Sequence, residues 1–140
     1  MRAADERAQF EHEKRIEIRW RDLDAFGHVN HVVFLTYLEE SRDEWLGGTL
    51  GDPAGVWDWV VARVEVDYRR ELALADDTVI ATCRLAGIGR SSVSTHEEVR
   101  TAAGVLAAEA SAVLVARDRG SGRSRPLTPA EQAAFERVPS

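Results

Sequence analysis

Apolar and polar residues alternate over positions 59 to 69, 78 to 86, 92 to 101 and 105 to 117, joined mainly by short turns. A period of two puts successive side chains on opposite faces of the chain, which marks half-buried strands. Short connections leave no room for the crossover that parallel pairing needs, so these strands pair antiparallel. The first segment sets Val60, Ala62, Val64, Val66 and Tyr68 against Val61, Arg63, Glu65, Asp67 and Arg69. The second puts Val79, Ala81, Cys83 and Leu85 on one face and ends in the turn "GIGRSS". The third is more polar and turns back at "TAAG". The fourth carries Leu106, Ala108, Ala110, Ala112, Leu114 and Ala116 on one face, side chains small enough to let a helix approach the sheet closely.

A further strand, Lys14 to Trp20, precedes them, with Ile16, Ile18 and Trp20 on one side. From His31 to Leu46 the period becomes helical: Phe34, Leu35, Leu38, Ser41, Arg42 and Trp45 share a face broken only by Arg42. Val32, Val33 and Tyr37 widen the apolar surface, while Glu39, Glu40, Asp43 and Glu44 supply a polar side further on. The helix start is therefore expected to be buried nearly all round and its end to be amphipathic. Asn30 suits the N-cap, where its side-chain oxygen can accept an orphan backbone N–H. Gly47 and Gly48 suit the C-terminal stop. "TPAEQAAFERV" reads as a short helix with a Thr cap and an early Pro. One long helix against an antiparallel sheet of about five strands is an α+β domain. Residues 1 to 140 form one domain, in which 1–13 is a leader and 120–140 a tail, both peripheral.

The composition narrows the function classes. With 44% apolar and 30% charged residues, the chain describes a globular domain. It has no apolar run long enough to span a membrane, and "MRAADERAQFEHEK" lacks the apolar centre of a secretory signal. A net charge of −6 argues against a nucleic-acid partner, which usually calls for a basic excess. The one cysteine, Cys83, has no partner for an internal disulfide, so a cytoplasmic setting is expected. It sits mid-strand on the apolar face, as a small core residue does.

The chemistry is concentrated in "RWRDLDAFGHVNHVVF". The nucleophile elbow, the phosphate-binding loop and the H-E-x-x-H zinc helix are all absent. Asp22, Asp24, His28 and His31 are possible metal ligands, but His28 lies in the loop and His31 on the helix, so no single helical face sets their spacing; no metal is expected. Asp24 and Asn30 also suit plain turn and cap bonds. A third reading rests on the helix start, whose free N–H groups and positive dipole end favour an oxyanion. A carboxylate delivered there resembles a hydrolytic site.

The stretch "RWRDLDAFGHVNHVVFLTYLEESRDEW" resembles the hot-dog-fold acyl-CoA thioesterases, specifically the 4-hydroxybenzoyl-CoA thioesterase-like branch. The pattern D-x-D-x-x-G-H-V-N-[NH]-x-x-[YF]-x-x-[YF]-x-E is met by Asp22, Asp24, Gly27, His28, Val29, Asn30, His31, Phe34, Tyr37 and Glu39 or Glu40. "VEVDYRREL" and "GIGRSS" fit the later strand order of the family. The resemblance implies a sheet wrapped around the long helix, a homodimer or homotetramer, and active sites at the subunit interface. It implies no resident cofactor, coenzyme A being part of the substrate.

Carried over, Asp24 matches the catalytic carboxylate, as general base or as nucleophile. Backbone N–H groups near Asn30 and His31 would hold the oxyanion, and His31 would orient water or the thioester. Trp20 stands where some relatives have tyrosine, so it is expected to wall the pocket beside Gly27. Phe26, Phe34, Val33 and Leu38 are expected to line the acyl pocket. Coenzyme A phosphates need cationic or N–H donors, for which Arg90, Ser91 and Ser92 are the candidates, ahead of Arg84 and Arg63. The rival readings are a hydratase or dehydratase, a non-catalytic acyl-CoA-binding protein, and a hydrolase of carrier-protein thioesters.

Overall fold

The computed structural model describes residues 12–138, so most of the expected leader lies outside the described residues. In chain order the elements are β1 (His12–Glu17), the long helix α1 (His31–Leu50), β2 (Trp59–Tyr68), β3 (Thr78–Ile88), β4 (Ser92–Thr101), β5 (Leu106–Ala116) and the short helix α2 (Pro129–Glu136). The five strands form one antiparallel sheet in the order β1-β3-β4-β5-β2. The α+β architecture and the antiparallel pairing are those expected from the alternation. Among the described residues, no helix is long and apolar enough to cross a membrane.

α1 packs across β3, β1 and β4. The small side chains of β5 are buried as expected, but the helix backbone comes closest to β3. Its inward face is Phe34, Tyr37, Leu38, Ser41, Arg42, Trp45, Leu46 and Gly47. The helix start is one-sided, not buried all round, because Val32 and Leu35 are exposed. Asn30 caps the helix as expected, its Oδ1 accepting the Val32 N–H at 3.1 Å. The expected stop at Gly47 and Gly48 does not occur. The helix runs through both, and ends where Gly51 takes a left-handed φ of 72° with its N–H on the Gly47 carbonyl.

Two apolar clusters fill the space between α1 and the sheet. One gathers Phe34, Tyr37, Leu38, Val79 and Val99 beneath the start of the helix. The other gathers Trp45, Leu46, Trp59, Leu85 and Leu114 beneath its end. Between them, Arg42 of α1 meets Glu97 of β4 in a forked pair, Nε and Nη2 each donating at 2.8 Å. Thr95 Oγ1 also donates to Glu97, at 2.6 Å. Glu97 is wholly buried, so a charge in the strand read as more polar is in fact matched to the lone charge on the inward face of the helix.

The tail, expected to be peripheral, is part of this core. α2 starts at the Thr128 cap with a capping box to Glu131, and it buries Phe135 between Trp45 and Trp59, with ring centroids at 6.0 and 5.5 Å. β1 also differs from expectation. Strand pairing stops at Glu17, the alternation runs on through buried Ile18, and a single 3-10 turn at Trp20–Asp22 swings Trp20 outward while turning Asp22 in.

Candidate active site

The chain between β1 and α1 forms a small hairpin. Leu23 bridges Val29, the Asp24 N–H donates to the His28 carbonyl at 2.8 Å, and the Gly27 N–H closes the turn on the Asp24 carbonyl at 3.1 Å. Gly27 has a φ of 81°, a conformation that suits glycine. Asp24 Oδ1 accepts the N–H groups of Phe26 and His28 at 2.9 and 3.3 Å, an Asx-type turn. No donor reaches Asp24 Oδ2 among the described residues. The turn reading of Asp24 is therefore correct, and it uses one oxygen of two.

The base of the hairpin is tied firmly. The Asn30 N–H donates to the Asp22 carbonyl at 2.9 Å. The Asp22 side chain is buried beneath, where it accepts the Arg19 N–H at 3.0 Å, the Arg19 guanidinium at 3.0 and 3.2 Å, and the Tyr37 O–H at 2.7 Å. Burial pushes the Asp22 carboxyl up, but the Arg19 N–H, the Tyr37 hydroxyl and the Arg19 guanidinium outweigh it and leave it below the usual carboxylate range. Burial, followed by the Asp22 anion, raises the Tyr37 hydroxyl well above its ordinary value.

The hairpin and the helix start open onto a cavity of about 350 Å³. Its walls are Asp24, His28, Val29, His31 and Phe34 from this segment, and Tyr68, Arg69, Arg70 and Glu71 from the end of β2. Tyr68 stands edge-on to Phe34 and His31 and donates its O–H to the His31 carbonyl at 3.0 Å. His28 Nε2 lies 3.2 Å from Glu71. At the helix start the Val32 N–H goes to the Asn30 side chain and the Val33 N–H to the Asn30 carbonyl at 2.8 Å, while the His31 N–H has no acceptor among the described residues. Asn30 thus serves as a cap, and the helix start offers the free His31 amide at the cavity.

Asp24, His31 and Phe34, singled out from the sequence, come together here, and Val33 and Leu38 pack in the core below. Trp20 and Phe26 stand out from the surface at 80% and 85% exposure and form no wall of this cavity in the single chain. Arg90, Ser91 and Ser92 occupy the β3–β4 turn at the opposite end of the sheet, where Ser92 pairs with Val115 and Trp59 with Ala116. The residues that sequence reasoning left without a role are Tyr68, Arg69, Arg70 and Glu71. Their signal was an aromatic followed by a charged run, at the end of a strand. Among the described residues, no group of three or more His, Cys, Asp or Glu side chains is placed to hold a metal ion.

An antiparallel sheet packed on one long helix is the hot-dog arrangement. The chain belongs to the thioesterase-like superfamily, whose model matches residues 18–135, and it is accordingly an enzyme of the thioester-hydrolase class. It is similar to a Thermus thermophilus thioesterase solved with coenzyme A and zinc, at 39% identity and a TM-score of 0.81 over 90% of this chain and 92% of that one. A putative thioesterase from Pseudomonas aeruginosa is 28% identical, with a TM-score of 0.76 over 89% and 97% of the two chains. A DHNA-CoA thioesterase from Staphylococcus aureus shares the fold, with a TM-score of 0.81 at 20% identity over 91% and 90%. The comparison with curated proteins gives no match.

Proposed function

We propose that the protein hydrolyses acyl-CoA thioesters and that Asp24 does the work. The observation that carries this reading is the cavity itself, which joins Asp24, His31 and a free helix-start amide to an aromatic wall of Phe34 and Tyr68. Asp24 takes a proton from water as the water oxygen adds to the thioester carbonyl carbon. The His31 N–H and the positive helix end stabilise the oxyanion that forms. The intermediate collapses to the free acid, and the thiolate leaves and takes up the proton. The alternative first step is attack by Asp24 itself, giving a mixed anhydride that water then opens. Single turnover in heavy-oxygen water separates the two. Direct addition of water labels the acid in the first turnover, whereas an anhydride that water opens at the Asp24 carboxyl carbon leaves the label on Asp24 and releases an unlabelled acid.

Thiol release from a panel of acyl-CoA substrates tests the activity. Asp24→Asn tests the residue cleanly, because the amide keeps an oxygen for both turn bonds. Loss of two or more orders of magnitude in kcat with an unchanged fold is expected, and unchanged turnover would remove Asp24 from the mechanism. Binding of acyl-CoA without any thiol release would replace the hydrolase with a binding protein.

The same reading includes self-association and a cytoplasmic setting. β2 is an edge strand with Val60, Val61 and Tyr68 exposed. Antiparallel pairing of β2 with the β2 of a second copy would bring the far end of one sheet beside the cavity of the other. That geometry supports the Arg90–Ser92 turn of a second copy as the holder of the coenzyme A phosphates. The buried thiol of Cys83 supports a reducing compartment.

A further inference from the structure

We infer that Asp22 is a positioning residue for the site, acting with Tyr37 as a clamp that fixes the hairpin bearing Asp24 against the start of α1. The inference rests on the reading of Asp24 as the working carboxylate. The two aspartates flank Leu23 and have opposite fates. Asp24 lines the cavity, whereas Asp22 is 2% exposed and fully engaged below it.

Asp22 holds the hairpin from two directions. Its carbonyl takes the Asn30 N–H, which joins the segment entering the hairpin to the residue that leaves it. Its carboxylate takes the Tyr37 O–H at 2.7 Å. Tyr37 lies about 10 Å down the helix axis from the Asn30 cap at 1.5 Å per residue. Two anchor points separated along the helix prevent a rocking motion that one alone would permit. Tyr37 is itself buried, packed tilted against Phe34 with centroids 6.4 Å apart, so the anchor does not move. Arg19 neutralises the buried charge, which lets an anion serve as the acceptor. The hairpin is otherwise joined to the β2–β3 connection by the bridge of His28 to Ala73, the bond from the Val29 N–H to the Leu72 carbonyl and the His28–Glu71 contact, all on its other strand.

The test measures kcat and KM for Tyr37→Phe, Asp22→Asn and the double variant, below the unfolding midpoint of each. Asp24→Asn and Phe135→Leu are run beside them; Phe135 lies in the second core and serves as a destabilised control. Tyr37→Phe keeps the ring and removes only the bond. It is expected to lower kcat by about tenfold to a hundredfold, as small misplacements of a reacting group do, with KM little changed. Asp22→Asn keeps one oxygen, so it weakens the Tyr37 bond that Tyr37→Phe removes and takes the charge partner from Arg19; with that bond shared, the double variant is expected to be no slower than the slower single. Phe135→Leu is expected to lower the unfolding midpoint and leave kcat as it was. An unchanged kcat in Tyr37→Phe overturns the clamp, as does an equal loss of kcat in Phe135→Leu. If Asp24→Asn also turns over normally, the reading of the site has failed; if only Asp24→Asn is slow, the clamp alone has.

Discussion

Replacing Arg42 by Met should unfold this protein at a much lower temperature, although no atom of Arg42 lines the proposed active site. The guanidinium makes both of its bonds to Glu97 at 2.8 Å, and Glu97 has no exposed surface. Methionine fills most of the space but leaves the carboxylate with the Thr95 hydroxyl and the distant Cys83 thiol. Breaking a buried pair by removing one partner costs about 3–5 kcal/mol. A domain of this size loses roughly 3–5 °C of midpoint per kcal/mol, so the drop should be about 10–20 °C. Glu97→Leu should do comparable harm by stranding Arg42. Combining Arg42→Met with Glu97→Leu should restore most of the loss, since an apolar pair of similar volume can match a buried ion pair. What remains is the Thr95 hydroxyl without its acceptor, about 1–3 kcal/mol. Urea unfolding of the four proteins, followed by tryptophan fluorescence, closes the double-mutant cycle. Two results would refute the argument: single variants that lose less than about 1 kcal/mol, or losses that simply add in the double.

Three further outcomes follow from other parts of the molecule. Gly48→Ala should stabilise the protein by about 0.5–1 kcal/mol and Gly51→Ala should destabilise it by about 1 kcal/mol. A methyl group meets nothing within 4 Å at either position, but only Gly51 has the left-handed φ; thermal melts decide. Asp22→Asn should flatten the acid limb of stability. The carboxyl titrates lower in the folded chain, so its contribution is full above the unfolded pKa near 3.9 and is lost as the pH falls through the folded value. The gap between wild type and variant in urea midpoint should therefore be widest near neutrality and close in acid. Finally, mixing inactive Asp24→Asn chains with Arg90→Ala chains and reassembling them should restore activity above that of either alone, if one copy supplies the carboxylate and the other the phosphate-binding turn; no gain would place both in one chain.

The alternating segments made the sheet readable, since period two survives wherever one face is buried. Strands β3 to β5 fell within two residues of the positions expected from sequence. The cap at Asn30 and the box at Thr128 were equally plain, because such motifs are local. What stayed hidden depends on distant partners. Arg42 reads as a flaw in an apolar face until Glu97, far along the chain, is known to face it. Trp20 continues the alternation of Ile16 and Ile18, and only the bonds from Arg19 and Tyr37 to Asp22 explain why the chain turns before it. Asp22 and Asp24 both belong to the family pattern, but nothing in the sequence tells which of the two aspartates goes inside. The cavity wall at Tyr68 to Glu71 was missed because the end of one strand meets the start of a helix only after folding.

The packing of Phe135 between Trp45 and Trp59 also bears on how the chain is born. The cluster beneath the helix start draws on residues no later than Ala110, whereas the cluster beneath its end includes Leu127 and Phe135. Synthesis runs from the N-terminus, so the first cluster has all of its members while the second still lacks its lid. Two tryptophans are then uncovered on a nascent chain whose other half can already close. The late helix is thus a seal set last, and the interval before it arrives is when the chain is most open to sticking to its neighbours or to a chaperone.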